Sequence, residues 1–465
     1  MQFQEELLVD MSHLSGNGWG VQACDIEKYK EDIQRAAQEV QRIRATGIGP
    51  DGSEVLFPHL PYLLEEDCLI SDEEKERLQA LDTYAKDQDV VVSIGIGGSY
   101  LGNQTLFDLF CGPYWNLYSK EERQGYPEMY FAGQNLDPIS LKHLADWILR
   151  QAKQVWWKQK VLLVVISKSG STLEPVMAER YLRERLAGQC QVRVLAITDK
   201  EKGKLRPLAE KKHWECFTVP DGIGGRFSVF SQVGLVFAKL AHISIEDFLA
   251  GARMVEEACQ SEDMEANPAL HLAALKYIAK KEYGIDAEII MPYGDHLRSL
   301  GWWYAQLLGE SLGKKLTTDG KEIHYGRIPV AAVGTTDMHS LTQEHQEGKN
   351  NKLVQFISVQ EPANHLEVLC DEKEESGMVP MAYMLEAARR SDEEALAQDG
   401  RMSCCITMKQ LTPFHVGALM YFFFLTIAYE GAMAGINAFD QPGVEAYKKI
   451  LHEDLRQYII QHKNS

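Results

Sequence analysis

Residues 161–186 read VLLVVISKSGSTLEPVMAERYLRERL. The first seven form a continuous apolar, β-branched run, the pattern of a strand buried on both faces of a parallel sheet. A hydroxyl-rich loop, SKSGST at 167–172, follows. The 3.6-residue rhythm of a helix comes after it. Strand, short loop and helix make the unit from which parallel α/β sheets are assembled. The unit recurs outward in both directions. VVVSIGIGG (90–98) is a β-branched strand entering glycines, VRVLAIT (192–198) is a further strand, and CFTVP (216–220) leads into DGIGGRFSVFS (221–231). After a mainly helical connector over 245–285, a second alternation opens at AEIIMPY (287–293). It continues through IPVAAVG (328–334), LVQFISV (353–359) and SCCITMK (403–409). The two halves share a rhythm but no motif. The expectation is an α/β chain with two tandem doubly wound parallel-sheet domains over 46–240 and 241–430. A helical N-terminal segment (1–45) precedes them and a C-terminal segment (431–465) follows. Two helix ends are also expected: Gly47 as a C-cap, and Ser71 with Glu74 as a capping box.

The 465 residues are 45% hydrophobic and 25% charged, which excludes a disordered chain, a collagen-like fibre and a small disulfide scaffold. Lys and Arg number 48 against 67 Asp and Glu, a net charge of −19. A nucleic-acid or anionic-membrane binder needs a basic footprint, so neither partner is expected. A local pocket of cations and backbone N–H groups can still hold a small anion. The nine cysteines are scattered, odd in number and form no CxxC. This suits a reducing cytosol. MQFQEELLVDMSHLSG at the start lacks the basic-then-apolar pattern of a signal peptide. A cytoplasmic location is therefore expected. FHVGALMYFFFLTIAYEGAMAGI at 414–436 is long enough to cross a bilayer. It carries Glu430, stands alone and lacks a flanking basic cluster, so it reads as a buried core helix.

The chemistry concentrates in six places. Hydroxyls and free N–H groups of SKSGST at a helix start suit a phosphate dianion. An ordinary capping box of Ser171 and Glu174 is the plainer alternative, but it leaves Ser167, Lys168, Ser169 and Thr172 unexplained. GIGGSYLG (95–102) fails the dinucleotide pattern GxGxxG because Tyr100 stands where glycine is needed. Gly98 and Ser99 there read as a tight turn, either against a polar ligand or as a turn alone. GGRFS (224–228) lets backbone bring Arg226 close to a ligand. In LRSLGWWYAQLLGESLGK (297–314), Gln306 and Glu310 are spaced i, i+4 and share one helix face, with Trp303 a turn earlier. Glu310 is a candidate general base, against the plainer reading of a solvent-facing glutamate. His339 follows a strand and could move protons, or make a structural hydrogen bond. It is six residues from His345, not the i, i+4 spacing of helical metal ligands, so no metal is expected. NAFDQPGVEAYK (437–448) offers Gln441 and Lys448.

Together, GIGGS, SKSGST, GGRFS, QLLGES (306–311), the His339 segment and FDQPGVEAYK resemble the glucose-6-phosphate isomerase (phosphoglucose isomerase) family, bacterial type. They occur in the family's order and span residues 95–448. The resemblance implies two sugar-isomerase (SIS) domains and reversible conversion of glucose 6-phosphate to fructose 6-phosphate through a cis-enediolate. It implies no cofactor and no metal. It also implies a cytoplasmic homodimer whose active site takes a histidine from the partner subunit. Carried over residue by residue, Glu310 is the base, Arg226 stabilises the enediolate, and His339 and Lys448 handle protons during ring opening. Ser167, Lys168, Ser169, Ser171 and Thr172 form the phosphate loop, while Gly98, Ser99 and Gln306 meet the sugar. Pro442 stands where animal-type members carry tryptophan. A non-catalytic SIS-type sugar-phosphate sensor, another sugar-phosphate isomerase and a nicotinamide-dependent dehydrogenase are the competing readings.

Overall fold

A computed structural model describes residues 2–462, apart from 4, 17, 66–67 and 373–374. Its first sheet is built from β2 (Val90–Ile94), β3 (Glu128–Ala132), β4 (Lys160–Ile166), β5 (Gln191–Thr198) and β6 (Glu215–Thr218). All pairings are parallel, in the order β3-β2-β4-β5-β6. Every residue of β2 is buried, as a central strand covered on both faces must be. The order reverses between β2 and β4, the place where sheets of this kind bind ligands beyond their carboxyl ends. The strand β3 does not stand out in the sequence. Its five residues, EMYFA, mix polar and apolar types, and Glu128 spends its carboxylate on Gln151 and Tyr130 at the sheet edge.

The second sheet contains β7 (Ala287–Pro292), β8 (Ile328–Ala331), β9 (Lys352–Val359) and β10 (Ser403–Met408) in parallel, with order β10-β9-β7-β8. The N-terminal segment departs from its expected helical character. Residues Leu7–Asp10 form β1, which adds antiparallel to β10, with Leu7 opposite Met408. Leu7 and Val9 face the core while Leu8 and Asp10 face out, a period of two that four residues display too briefly to compete with the helical pattern behind them. The sheet is therefore mixed at this edge. Helix α1 (Lys30–Thr46) does form and ends on Gly47 in the left-handed conformation, φ 67°. Helix α2 (Asp72–Lys86) starts at Ser71, whose hydroxyl accepts from the Glu74 N–H. The expected reciprocal half of that capping box is absent, because the Glu74 carboxylate accepts instead from Thr218 N–H, 2.7 Å away, and ties α2 to β6.

Between the sheets run α5 (Ile245–Ala258), α6 (Pro268–Tyr283) and the long apolar helix α9 (Pro413–Met433), which packs on both of them and on α1. Helix α9 is apolar on every side and buried almost throughout, which is how a core helix acquires the length and hydropathy of a membrane span. Its one carboxylate, Glu430, is fully buried and meets Arg327 Nη2 at 2.6 Å and the Tyr325 hydroxyl at 2.7 Å. Arg327 Nε bonds Glu288 at 2.8 Å, and Glu288 in turn accepts from Lys276 Nζ at 2.6 Å. Two carboxylates and two cations so neutralise each other, each held by hydrogen bonds to the others, as buried charge requires.

Candidate active site

Five segments converge at the carboxyl ends of the first sheet. The loop after β4 turns through Gly170, where the Ser167 hydroxyl accepts from the Gly170 N–H (3.0 Å). The Ser169 hydroxyl accepts from both the N–H and the hydroxyl of Ser171, at 3.2 and 2.9 Å. Helix α4 (Leu173–Leu186) then begins at Thr172, which makes no side-chain cap bond. The Ser171–Glu174 capping box expected as the plainer reading does not form, because Ser171 is turned back to Ser169. A helix N-terminus without such a cap is open to an anion. Ser99, Ser167, Lys168, Ser169 and Thr172 line one cleft of about 410 Å³, together with Gly225 and Gln441. Asp199 and Lys202 complete its wall. The sequence reading passed over both. Their segment, DKEKGK (199–204), has the composition of a solvated loop and gives no signal of its own.

The turn after β2, which leads into α3 (Leu101–Phe110), brings Gly98 against the backbone of GGRFS. A Cβ on Gly98 would lie 1.9 Å from the Gly225 carbonyl oxygen. That contact sets the position of Arg226, which is 2% exposed. Its Nε donates to Ser311 Oγ at 2.7 Å and its Nη1 to Gln441 Oε1 at 2.8 Å. Its Nη2 donates to the carbonyls of Ala438 and Asp440, the latter at 3.0 Å. These bonds occupy four of five N–H groups and fix the guanidinium plane. Burial pushes the Arg226 pKa down to about 10, against the pull of Glu310 and Asp440.

Glu310 lies in the last turn of α7 (Arg298–Leu312). Its Oε2 is 3.5 Å from Arg226 Nη1, and its Oε1 accepts from Gln306 Nε2 at 2.9 Å. The i, i+4 spacing thus becomes a hydrogen bond that aims the carboxylate. The Glu310 side chain is 33% exposed, so solvent reaches it and it is not sealed in the core. Two neighbours escaped the sequence reading. Ser311 directs its hydroxyl to Arg226. Lys314, two residues past the helix, folds back to donate to the carbonyls of Glu310 (2.6 Å) and Ser311 (2.9 Å), with Asp440 Oδ1 at 3.5 Å. Burial and the nearby Arg226 push the Lys314 pKa down to about 8. In sequence it is an unremarkable lysine after a helix.

His339 stands apart from this group. His339 is exposed on α8 (Met338–Glu347), its N–H bonded to Thr336 O. Lys448 is half-buried on α10 (Glu445–Gln461). Among the described residues neither lines the cleft, and nor do Gln306, Glu310 and Arg226, which stand beside it through Gly225 and Gln441. His345 is buried, and burial lowers its pKa below the usual histidine value. Among the described residues no group of three or more His, Cys, Asp or Glu side chains is placed to hold a metal ion. The geometry therefore offers a carboxylate aimed by an amide, a fixed buried cation beside it, and a hydroxyl-lined pocket at a helix N-terminus. Those are the parts of proton transfer next to a developing oxyanion on an anchored anionic molecule.

Residues 80–464 match the family model described as phosphoglucose isomerase. The chain is 34% identical over 457 residues to a glucose-6-phosphate isomerase of Carboxydothermus hydrogenoformans, covering 95% of this chain and 94% of that protein. It is 37% identical over 390 residues to that of Symbiobacterium thermophilum, covering 82% and 83%. Among solved structures, a glucose-6-phosphate isomerase from Chlamydia trachomatis superimposes with a TM-score of 0.75 at 25% identity, covering 94% of this chain and 86% of that one. A hypothetical protein from Thermus thermophilus gives 0.78 at 26% identity, covering 97% and 99%.

Proposed function

The chain belongs to the phosphoglucose isomerase family and interconverts glucose 6-phosphate and fructose 6-phosphate, and we propose that Glu310 is the base that moves the proton. The observation that carries this is the Gln306–Glu310–Arg226 arrangement, with the carboxylate 3.5 Å from a buried guanidinium. In this reading the phosphate sits against Ser169, Thr172, Lys168 and the start of α4, with Ser99, Ser167 and Ser171 completing the loop around it. Gly98 lets the turn approach the sugar. Binding the non-reacting phosphate fixes C1 and C2 before Glu310. Glu310 takes the C2 proton of the open-chain aldose, and the electron pair left behind forms the C1–C2 double bond of a cis-enediolate. The C1 carbonyl pair moves onto O1, the O2 hydroxyl proton passes to O1, and as the C2 carbonyl forms the same carboxyl group returns its proton to C1 and yields the ketose. Arg226, whose Nη1 stands 3.5 Å from the Glu310 carboxylate, is the fixed positive charge beside the enediolate, a preorganised charge of the oxyanion-hole kind. His339 and Lys448 move the ring-oxygen and hydroxyl protons in ring opening.

His339 is exposed on α8 and lies outside its own chain's cleft. This supports a homodimer in which each site takes the partner's His339. The nine cysteines, all unpaired thiols, support a reducing, cytoplasmic setting. The division into 46–240 and 241–430 is supported by each sheet drawing its parallel strands from one of the two. Nothing favours the sensor reading.

The test is Glu310→Gln, which keeps the shape and removes the base. EDTA-treated protein is given fructose 6-phosphate and the product followed through a coupled dehydrogenase. Turnover falls by about 10²–10⁴-fold, the usual worth of a general base, while sugar-phosphate affinity stays close to wild type. Near-wild-type turnover would remove Glu310 from the role.

A further inference from the structure

We propose that Lys314 is a positioning residue for the isomerisation: its ammonium clamps the end of the base helix to the Ala438–Gln441 segment and so fixes where Glu310 stands relative to Arg226. The inference rests on Glu310 being the base. A lysine near a helix C-terminus ordinarily reaches into solvent while stabilising the last carbonyls. Lys314 does the second without the first, for it is only 6% exposed. It donates to the Glu310 and Ser311 carbonyls, two acceptors that the helix end leaves unmet, and stands 3.5 Å from Asp440 Oδ1.

The partners of Arg226 turn this clamp into a closed ring. Arg226 bonds the hydroxyl of Ser311 while Lys314 bonds its carbonyl. Arg226 bonds the carbonyl of Asp440 while Lys314 faces its carboxylate. The helix end and the 438–441 segment are thus joined twice, by two different cations. Stability alone gives no reason to bury two like charges side by side, since an apolar side chain of similar length would fill the space without desolvating an ammonium. The ring does give a reason, because the Glu310–Arg226 separation is then set by bonds on both sides. Misplacing a reacting group by about 1 Å costs on the order of 10²-fold in rate.

The charged groups facing Lys314 are Arg226 from the GGRFS segment, Glu310 from its own helix and Asp440 from the 438–441 segment. Burial and Arg226 lower its pKa to about 8, and Asp440 and Glu310 hold it up. The clamp is therefore complete below about pH 8 and is released as the pH rises past it.

The experiment measures kcat and KM for fructose 6-phosphate between about pH 6 and pH 10 in wild type, Lys314→Met and Lys314→Arg. Lys314→Met is expected to lower kcat by about 10–100-fold with KM within about twofold, because the phosphate anchor is untouched. Lys314→Arg, whose cation does not titrate in this range, recovers most of kcat and moves the alkaline limb up by about one pH unit or more. A Lys314→Met enzyme with unchanged kcat, or a loss confined to KM, overturns the proposal. So does an alkaline limb common to wild type and Lys314→Arg, a comparison that stands even if Lys314→Met fails to fold. Glu310→Gln, run alongside, separates the two readings. If it is inactive while Lys314→Met matches wild type, only the clamp is wrong. If it is active, the base assignment is wrong.

Discussion

Replacing Gly98 by alanine adds one methyl group, and the structure says where it goes. The new Cβ would lie 1.9 Å from the Gly225 carbonyl oxygen, 2.2 Å from the Gly225 carbonyl carbon and 2.8 Å from the Arg226 nitrogen. Ordinary contact begins near 3.4 Å, so one strand of backbone must retreat by 3.4 − 1.9 = 1.5 Å. No flexible side chain is available to absorb it, since all three atoms are main chain. The peptide that must move is the one that carries Arg226, whose guanidinium is held in place by Ser311, Gln441, Ala438 and Asp440. Either those bonds break or the turn carrying Ser99 moves away from the phosphate loop. Overpacking of this kind costs about 1–3 kcal/mol of stability. A displacement on the order of 1 Å beside the reacting carbons costs on the order of 10²-fold in kcat/KM. The coupled-dehydrogenase assay reads the rate and circular dichroism melting reads the fold. A Gly98→Ala enzyme with a melting temperature and kcat/KM close to wild type would refute the close approach and the placement of Arg226 that depends on it.

Two further outcomes follow. Mixing unfolded Glu310→Gln and His339→Ala chains and refolding them together restores about a quarter of wild-type activity, since half of the dimers are mixed and one of their two sites has both groups intact; no recovery would show that His339 serves its own chain. Burial works against the charge on Glu288, but Lys276 and Arg327 outweigh it and hold its pKa down at about 2. A carboxylate lowered on folding contributes stability above its unfolded pKa of about 4.3 and loses it as the pH falls. The urea midpoint therefore falls more steeply between about pH 4.3 and 2 in wild type than in Glu288→Gln; equal slopes in the two proteins would contradict this.

What the sequence discloses follows from how much of each element's environment is local. The strand VLLVVI is buried on both faces, so its composition alone gives it away. LLVD at 7–10 and EMYFA at 128–132 are edge or near-edge strands, where polar residues are tolerated and the run is short. The phosphate-type loop is legible because its hydroxyls are consecutive, yet the partner chosen by each hydroxyl is not. Ser171 turns to Ser169 rather than to Glu174, as the loop's turn at Gly170 directs. The approach of Arg226 to Glu310 joins residues 84 positions apart, and only the packing of the GGRFS segment on α7 brings them to 3.5 Å. Lys314 was invisible for the same reason, because its meaning comes from Asp440, far along the chain. The carboxylate in the apolar run at 414–436 argued against a membrane span. Its actual partner, Arg327, could not be named without the fold.

Helix α9 also dictates a timetable. It is the element on which α1, α5 and α6 pack, and it begins only at Pro413. The 155 positions from Ala258 at the end of α5 to Pro413 take roughly 8–31 s to synthesise at about 5–20 residues per second. The first sheet, complete by Thr218, can form on the ribosome while the remainder is still being made. Helices α5 and α6 must wait, with their apolar faces uncovered, until α9 emerges. The window in which a chaperone has something to hold is therefore written into the order of the elements, and a chain truncated shortly before Pro413 would never leave it.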